Sequence, residues 1–329
     1  MDPDVRLLAA LLGAQGGFVP GSVLTEALGI SRVAVWGRLE KLRLQGIEIE
    51  AQRQHGYRLA AEPEELHESL LRAYAVRLGV GSDLYFHSSI DSTNTEAERL
   101  LAAGAEDPCV VVANEQTAGR GRMGRQWHSP QRGNLYASFA FRPQLPPRDM
   151  AVITLWFGLA VARCLQGTYG LPVKVKWPND LLIDGRKVAG MLTEARVDAD
   201  HTRDLVFGLG LNIAADMNLW PDPVQQRATT LAQASSRPLS VNGTAMTVIK
   251  TVFGAYARFI SGDRSALTRD WPRFDVLAGQ KVEAERHGQP ITGTACGIAE
   301  NGGLRIRMDD GTTHLFHSGE VTIGSIQRA

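Results

Sequence analysis

Cysteine, an excess of charge of either sign and long apolar runs are what this sequence has least of. Three cysteines occur in 329 residues, Cys109, Cys164 and Cys296. Each stands alone in an apolar stretch (PCVVVA, VARCLQG, TACGIA) with no CxxC pair, which argues against a disulfide framework or a zinc site and predicts buried free thiols. Basic and acidic residues balance at 35 each. No global field therefore draws the chain to nucleic acid or to a membrane surface, and any such site must be local. No run of 18 uncharged apolar residues occurs, and the start, MDPDVRLLAALLGAQGG, has acidic residues where a secretory signal has a basic flank. These absences predict a cytoplasmic protein with no membrane partner. Internal repeats and low-complexity tracts are also missing, so an ordered chain is expected. At 44% hydrophobic content, the chain can fill two or three cores.

What is present divides into three blocks. Residues 5–12 and 22–28 read as short amphipathic helices, and 31–42 (SRVAVWGRLEKL) as a third with Ser31 as N-cap. Val35, Leu39 and Leu42 form its core stripe and leave Arg32, Arg38 and Lys41 on other faces. IEIEA and YRLA, separated by a Gly56-containing turn, read as a two-stranded ribbon, completing a winged helix-turn-helix pattern. The acidic, proline-containing stretch 60–65 reads as a boundary. Beyond it, CVVVANE, LYASFAF, VKVKW, LLIDG, KVAGMLTEARV and RDLVFGLGLNI are strand-like, while 94–103 and the apolar 150–169 are helix-like core, as in an α/β domain. From about residue 275, short strands alternate with HGQ, ENGG and DDG turns, the pattern of a small β barrel.

The segment GRGRMGR (119–125) satisfies GxGxxG, but a dinucleotide fingerprint opens a helix and is followed about 20 residues on by an acid. Here it runs into QWHSPQRGNLY, full of turn residues, and QLPPR occupies the later position. What remains is a flexible glycine loop presenting Arg120, Arg122 and Arg125, suited to clamping a carboxylate or phosphate; the plainer alternative is a solvated basic loop. KWPND and DGRKVAGM bring Lys176 and Lys187 near each other across a D-G hairpin turn, with Gly190 leaving room for a ligand. Alone, each lysine would read as a solvated strand residue. In DSTNTE, Thr93 and Glu96 form a capping box, and Ser92, Thr93 and Asn94 offer hydrogen bonds to a polar, neutral head group. Gly208, Gly210 and Asn212 mark close packing of strand against ligand, or of strand on strand.

Taken in order, DSTN, NEQTAGRGRMGRQW, KWPNDLLIDGRKVAGML, GLGLNI and a terminal HSGEVTI resemble the bifunctional biotin protein ligases that double as biotin operon repressors, over nearly the whole chain. The resemblance implies an α+β multidomain protein. Its parts would be a winged helix-turn-helix DNA-binding domain at 1–63, a central α/β biotin/lipoate ligase-like catalytic domain at 64–274, and an SH3-like β barrel at 275–329. It implies ATP and Mg²⁺ as cofactors, biotin as substrate, and the biotin carboxyl carrier protein of acetyl-CoA carboxylase as acceptor. Biotin and ATP would give biotinyl-5′-AMP and pyrophosphate, and a carrier lysine would then take the biotinyl group.

By matched position, the resemblance places Ser92, Thr93, Asn94 and Gln116 on the biotin head group, with Gly119, Arg120 and Gly121 in its loop and Gly190 and Gly208 beside it. Arg122 and Lys187 fall at the carboxylate and α-phosphate, Trp127 on the adenine, and Lys176, Asn179 and Asn212 in the nucleotide site. Lys187, Arg122 and Asp180 carry the catalysis; no metal ligand is assigned. Attack of a carboxylate on an α-phosphate joins two anions, which calls for fixed positive charge, and a closed loop would shield the mixed anhydride from water.

Between residues 31 and 58, six basic residues face three acidic ones, a local excess of three. The resemblance puts the third helix in the major groove of operator DNA and the wing on the backbone, in a homodimer, with Ser31, Arg32, Trp36, Arg38, Lys41 and Arg53 as contacts. Gly37 inside that helix costs about 1 kcal/mol relative to alanine, and Trp36 is bulky for reading bases; the alternative is a winged helix kept for dimerisation or stability. Two other functional readings are a lipoate or octanoate ligase sharing the central fold, and a sensor that binds biotin without transferring it.

Overall fold

The computed structural model describes residues 1–150, 152–198, 200–286, 289–317, 319 and 321–323. The first block contains α1 (Pro3–Gly13), α2 (Gly21–Leu28) and α3 (Arg32–Leu44), followed by a ribbon of β1 (Glu48–Gln52) and β2 (Gly56–Ala61). Ser31 caps α3 as expected, its Oγ accepting from the Ala34 amide at 3.2 Å. Val35, Leu39 and Leu42 are buried with Leu7, Leu8, Leu24 and Ile49 in one core. Gly56, at φ 105°, is obligatory: a Cβ there would lie 2.0 Å from the Val19 carbonyl oxygen, where the ribbon crosses the α1–α2 connection.

The stretch after the ribbon is pinned rather than free. Asn114 holds both the amide and the carbonyl of Leu66 at 2.9 Å, Asn242 receives the His67 amide at 2.8 Å, and Glu62 accepts from the Tyr74 hydroxyl at 2.5 Å and Ser240 at 2.7 Å. Helix α4 (Glu68–Leu78) then serves two cores, with Leu70 and Ala73 in the N-terminal one and Leu71 in the central one.

Among the described residues the central sheet has seven strands. In chain order these elements are β3 (Asp83–His87), α5 (Thr93–Ala102), β4 (Cys109–Ala113), β5 (Asn134–Phe141), α6 (Pro147–Met150), α7 (Ile153–Tyr169), β6 (Lys174–Lys176), β7 (Asp180–Ile183), β8 (Arg186–Asp198) and β9 (His201–Asn212). Four helices follow: α8 (Asp222–Gln225), α9 (Leu231–Ala234), α10 (Val241–Ile260) and α11 (Ser265–Phe274). Strand order is β3-β4-β5-β9-β8-β7-β6, with β3 and β4 parallel and every other pair antiparallel. The two faces of the sheet are covered differently. Phe139, Phe141, Phe207 and Leu209 pack on α7 and α10, whereas Cys109, Val111, Ala140 and Val206 meet Ala97 and Leu101 of α5.

The last block pairs β10 (Lys281–Arg286), β11 (Gln289–Ile298), β12 (Leu304–Arg307), β13 (Thr313–Phe316) and β14 (Val321–Ile323) in the order β13-β12-β11-β10-β14, antiparallel throughout. Its Val282, Leu304 and Phe316 are continuous with the central core, and the Trp177 indole donates to the Gly302 carbonyl at 3.0 Å. His287 and Gly288 of the HGQ turn, and Ser318 and Glu320 of the HSGEVTI motif, lie outside the described residues. The cysteines are free thiols, but Cys296 is exposed and Cys164 half-buried, so only Cys109 meets the expectation of burial.

Candidate active site

Cross-strand register builds the site. Lys176 pairs with Asp180, Asp180 with Gly190, Gly190 with Gly210, and Gly210 with Tyr136, a row on one face of the sheet. One pleat along, Leu192, Gly208 and Ser138 form a second row. This is the face that α5 covers. A cleft of about 1010 Å³, counting space open to solvent, is lined there by Ser92, Thr93, Asn94, Gln116, Arg120, Gly121, Arg122, Trp127, Lys176, Asn179, Asp180, Lys187, Gly190 and Gly208. Residues far apart in sequence thus converge, as expected. Gly119 and Asn212 do not line it.

The glycines in these rows serve the protein's own side chains. A Cβ on Gly208 would lie 2.1 Å from Asn94 Oδ1, and one on Gly190 or Gly210 would lie 2.6 or 2.5 Å from the Trp127 indole. Gly190 and Gly208 line the cleft and also make room for Trp127 and Asn94, which in turn face it. The ring of Trp127 also carries the Lys187 ammonium 5.1 Å from its centroid. Lys187 Nζ lies 2.7 Å from Asp180 Oδ1. Among the described residues, neither that oxygen nor Trp127 Nε1 finds a well-aligned hydrogen bond, although both are buried. Asn212 is engaged elsewhere, its amide donating to the Thr229 carbonyl at 3.1 Å.

At the start of α5 the N-cap is Ser92 rather than Thr93, and the expected capping box is absent. Thr93 turns its hydroxyl to Gln116 Oε1 at 3.0 Å, while Glu96 pairs with Arg99 at 3.1 Å. The reason is competition. Gln116 also accepts the Thr93 amide at 2.9 Å and donates to Ser129 at 2.9 Å, so a buried network displaces the local cap. Ser138 Oγ lies 2.5 Å from Asn94 Oδ1, and Asn94 Nδ2 donates to Glu194 at 2.7 Å. Sequence reading misses Ser138, Ser129 and Glu194. The first has a signal, as the one serine in the strand LYASFAF.

Residues 116–129 form a flap rather than a strand-to-helix turn, in agreement with rejection of the dinucleotide fingerprint. Gly119 accepts from the Trp127 amide at 2.9 Å and Gly121 donates to Arg125 at 2.7 Å. The base of the flap runs beside Ile90 and Asp91. Gly119, expected in the substrate's loop, lies in the flap and lets its two strands close up, since a Cβ would lie 2.6 Å from Trp127 O and from Ser129 Oγ. Met123, at φ 56°, forms the tip. Arg122 donates to Asn179 Oδ1 at 3.1 Å, and Asn179 is locked by two 2.9 Å hydrogen bonds with the Met191 backbone. Arg120, expected near a head group, reaches Glu98 and Glu194 at 2.9 Å each.

On α3, Arg32, Trp36 and Arg53 of the wing are exposed, with Trp36 55% exposed. Arg38 and Lys41 are not free cations, because both pair with the buried Asp4 of α1, at 2.7 and 2.9 Å. Burial alone would raise the Asp4 pKa; hydrogen bonds and charge from Lys41 and Arg38 more than offset it and hold the carboxyl below its ordinary value.

Among known protein families, residues 86–212 match the biotin/lipoate A/B protein ligase family, 6–58 an HTH domain, and 278–324 the biotin protein ligase C terminal domain. The bifunctional ligase/repressor BirA of Bacillus subtilis is 32% identical over 307 residues, covering 93% of this chain and 94% of the relative. The chain belongs to the bifunctional biotin ligase/repressor family. Escherichia coli BirA is 31% identical over 330 residues, covering 99% of each chain. Among solved structures of the family, the biotin protein ligase from Aquifex aeolicus in complex with biotin and ATP matches with a TM-score of 0.62 at 28% identity, over 73% of this chain and 97% of that one.

Proposed function

We propose that this protein is an ATP-dependent biotin protein ligase that forms biotinyl-5′-AMP, transfers biotin to a lysine of the biotin carboxyl carrier protein, and also represses transcription from biotin operator DNA. The observation that carries the ligase reading is one cleft holding a neutral polar floor (Ser92, Thr93, Asn94, Gln116) beside converging cations (Arg122, Lys176, Lys187) and an indole. The floor suits an uncharged head group. The cations suit a carboxylate and an α-phosphate held together.

In the first step a carboxylate oxygen bonds to the α-phosphorus as the bond to the pyrophosphate oxygen breaks. Arg122, fixed by Asn179, and Lys187, fixed by Asp180, neutralise the developing charge, and Trp127 offers its face to the adenine. In the second step a lysine amine attacks the acyl carbon, the acyl–phosphate bond breaks and AMP leaves, and Asp180, which lines the cleft, would take the amine proton. Among the described residues no group of three His, Cys, Asp or Glu converges. Asp180, the one carboxylate among the described residues lining the cleft, would hold Mg²⁺ arriving on the nucleotide in the first step, before the amine proton has to be taken up in the second. Bound there, the ion would withdraw charge from the phosphates.

The same reading takes residues 1–63, 64–274 and 275–329 as DNA-binding, catalytic and SH3-like domains, and the working form as a cytoplasmic homodimer. Support for DNA binding comes from the HTH match and from exposed Arg32, Trp36 and Arg53. The test is mass spectrometry of a biotin carboxyl carrier domain incubated with the protein, biotin and Mg-ATP. A biotin-sized mass gain, lost with Lys187→Ala, supports ligase chemistry. Biotin binding without any gain would favour the sensor reading instead.

A further inference from the structure

Arg120 lines the cleft, yet its guanidinium ends on carboxylates outside the cleft lining. Its Nη2 lies 2.9 Å from Glu98 Oε1 on α5 and 2.9 Å from Glu194 Oε2 on β8. Neither glutamate lines the cleft. Arg120 also bridges to Gln126 across the flap, so the ion pairs hold both flap strands against the two elements that wall the site. The opposite flap strand is fastened differently, by Gln116 donating to Ser129. One oxygen does double duty: Glu194 Oε2 also accepts from Asn94 of the polar floor at 2.7 Å.

We infer that Arg120 is a positioning residue, an electrostatic latch through Glu98 and Glu194 that holds the flap shut and sets how long the acyl-adenylate stays bound. This rests on the ligase reading above. Opening the flap for release must break both ion pairs, whereas chemistry inside the closed cleft does not involve them. The latch therefore acts on the release rate and leaves the rate of formation unchanged. Because the pairs are partly solvated, each is worth a modest factor and weakens with salt. Glu194 links the latch to the floor residue Asn94, so a head group engaging Asn94 shares an acceptor with the latch.

The test uses the full chain loaded with biotin and Mg-ATP, freed of excess reagents, with adenylate loss followed in the absence of carrier and transfer followed after carrier is added. Glu98→Gln and Glu194→Gln keep hydrogen-bonding ability, including the acceptor for Asn94, and remove only charge. Each is expected to speed release about two- to fivefold, with the double variant near the product and Arg120→Ala no faster than the double. Transfer per bound adenylate stays unchanged in the glutamate variants, and Arg120→Lys restores part of the retention. Raising salt should speed release from the unmodified protein more than from the double variant, a comparison that stands even if one single variant folds poorly. Equal release and equal salt response in all forms would overturn the latch while leaving the ligase reading intact. Failure of the unmodified chain to form adenylate would overturn both.

Discussion

Two stretches of this chain look alike in sequence. The flap, GRGRMGRQW, and helix α3, RVAVWGRLEKLRL, both interleave glycine and tryptophan with arginine or lysine, yet the fold directs Arg122 of the one into the cleft and Arg38 and Lys41 of the other onto a carboxylate. In the flap, Arg122 points inward to Asn179 and the tryptophan lies on two glycines of the sheet, beside Lys187. In α3, Arg38 and Lys41 turn to Asp4, Arg43 turns to Glu40, and Trp36 stays outside. Counting basic residues along a chain measures the supply of charge. Where the carboxylates sit determines how much of it is free.

The comparison breaks most sharply at Lys187. Lys187→Ala should lower the rate of adenylate formation about 100-fold or more, the usual effect of deleting one preorganised charge in a closed site. Pyrophosphate release checks it, and near-normal release would remove Lys187 from the chemistry. Next come the glycines. Gly210→Val should push the Trp127 ring off the sheet and lower the affinity for ATP about tenfold, with biotin affinity little changed, while Gly208→Ala should displace Asn94 and do the reverse. Titration calorimetry with each ligand separates the two.

For α3, Asp4→Asn should destabilise the N-terminal unit by about 1–2 kcal/mol, less than a fully buried pair because Arg38 and Lys41 are partly solvated. It should also steepen the salt dependence of DNA binding by freeing two cations, read from affinity at several salt concentrations. The sign with pH follows from the lowered Asp4 pKa. Its contribution to stability is complete above the unfolded value near about pH 4 and is lost as pH falls through the folded value. Thermal unfolding at graded pH should show this loss in the unmodified chain and not in the variant. Smallest of all, Arg32→Ala and Arg53→Ala should each reduce the salt slope of DNA binding by about one while leaving ligase activity untouched.

Much of the fold is legible in the sequence. Periodicity locates α3 and its core stripe, alternation locates the ribbon and β4 to β9, and the D-G turn puts Lys187 beside the KWPND strand. Helix α10 is not legible. Its sequence, VNGTAMTVIKTVFGAYARFI, is rich in β-branched residues and carries two glycines, so helix propensity is weak and burial against the sheet decides the outcome. Strand β3 and helix α4 escape for the converse reason, being short and only partly apolar. The site is legible in its residues but less so in their roles. Gly190 reads as space for ligand and Gly208 as close packing against ligand or strand, because a sequence cannot show that Trp127 and Asn94 lie against them. Arg120, Arg38 and Lys41 read as available cations because the carboxylates that engage them lie 22, 34 and 37 residues away, at Glu98 for the first and Asp4 for the other two, and only the fold brings them together. The Thr93 capping box fails for a related reason: its rival partner, Gln116, is distant in sequence and adjacent in space.

The most direct measurement is biotin-dependent exchange of labelled pyrophosphate into ATP, with no carrier present and with lipoate and octanoate as competing acids. Exchange is expected with biotin alone, lowered about 100-fold or more by Lys187→Ala and retained in Arg32→Ala. Exchange supported equally by lipoate, or none with biotin in a chain that binds it, would contradict the assignment of this cleft.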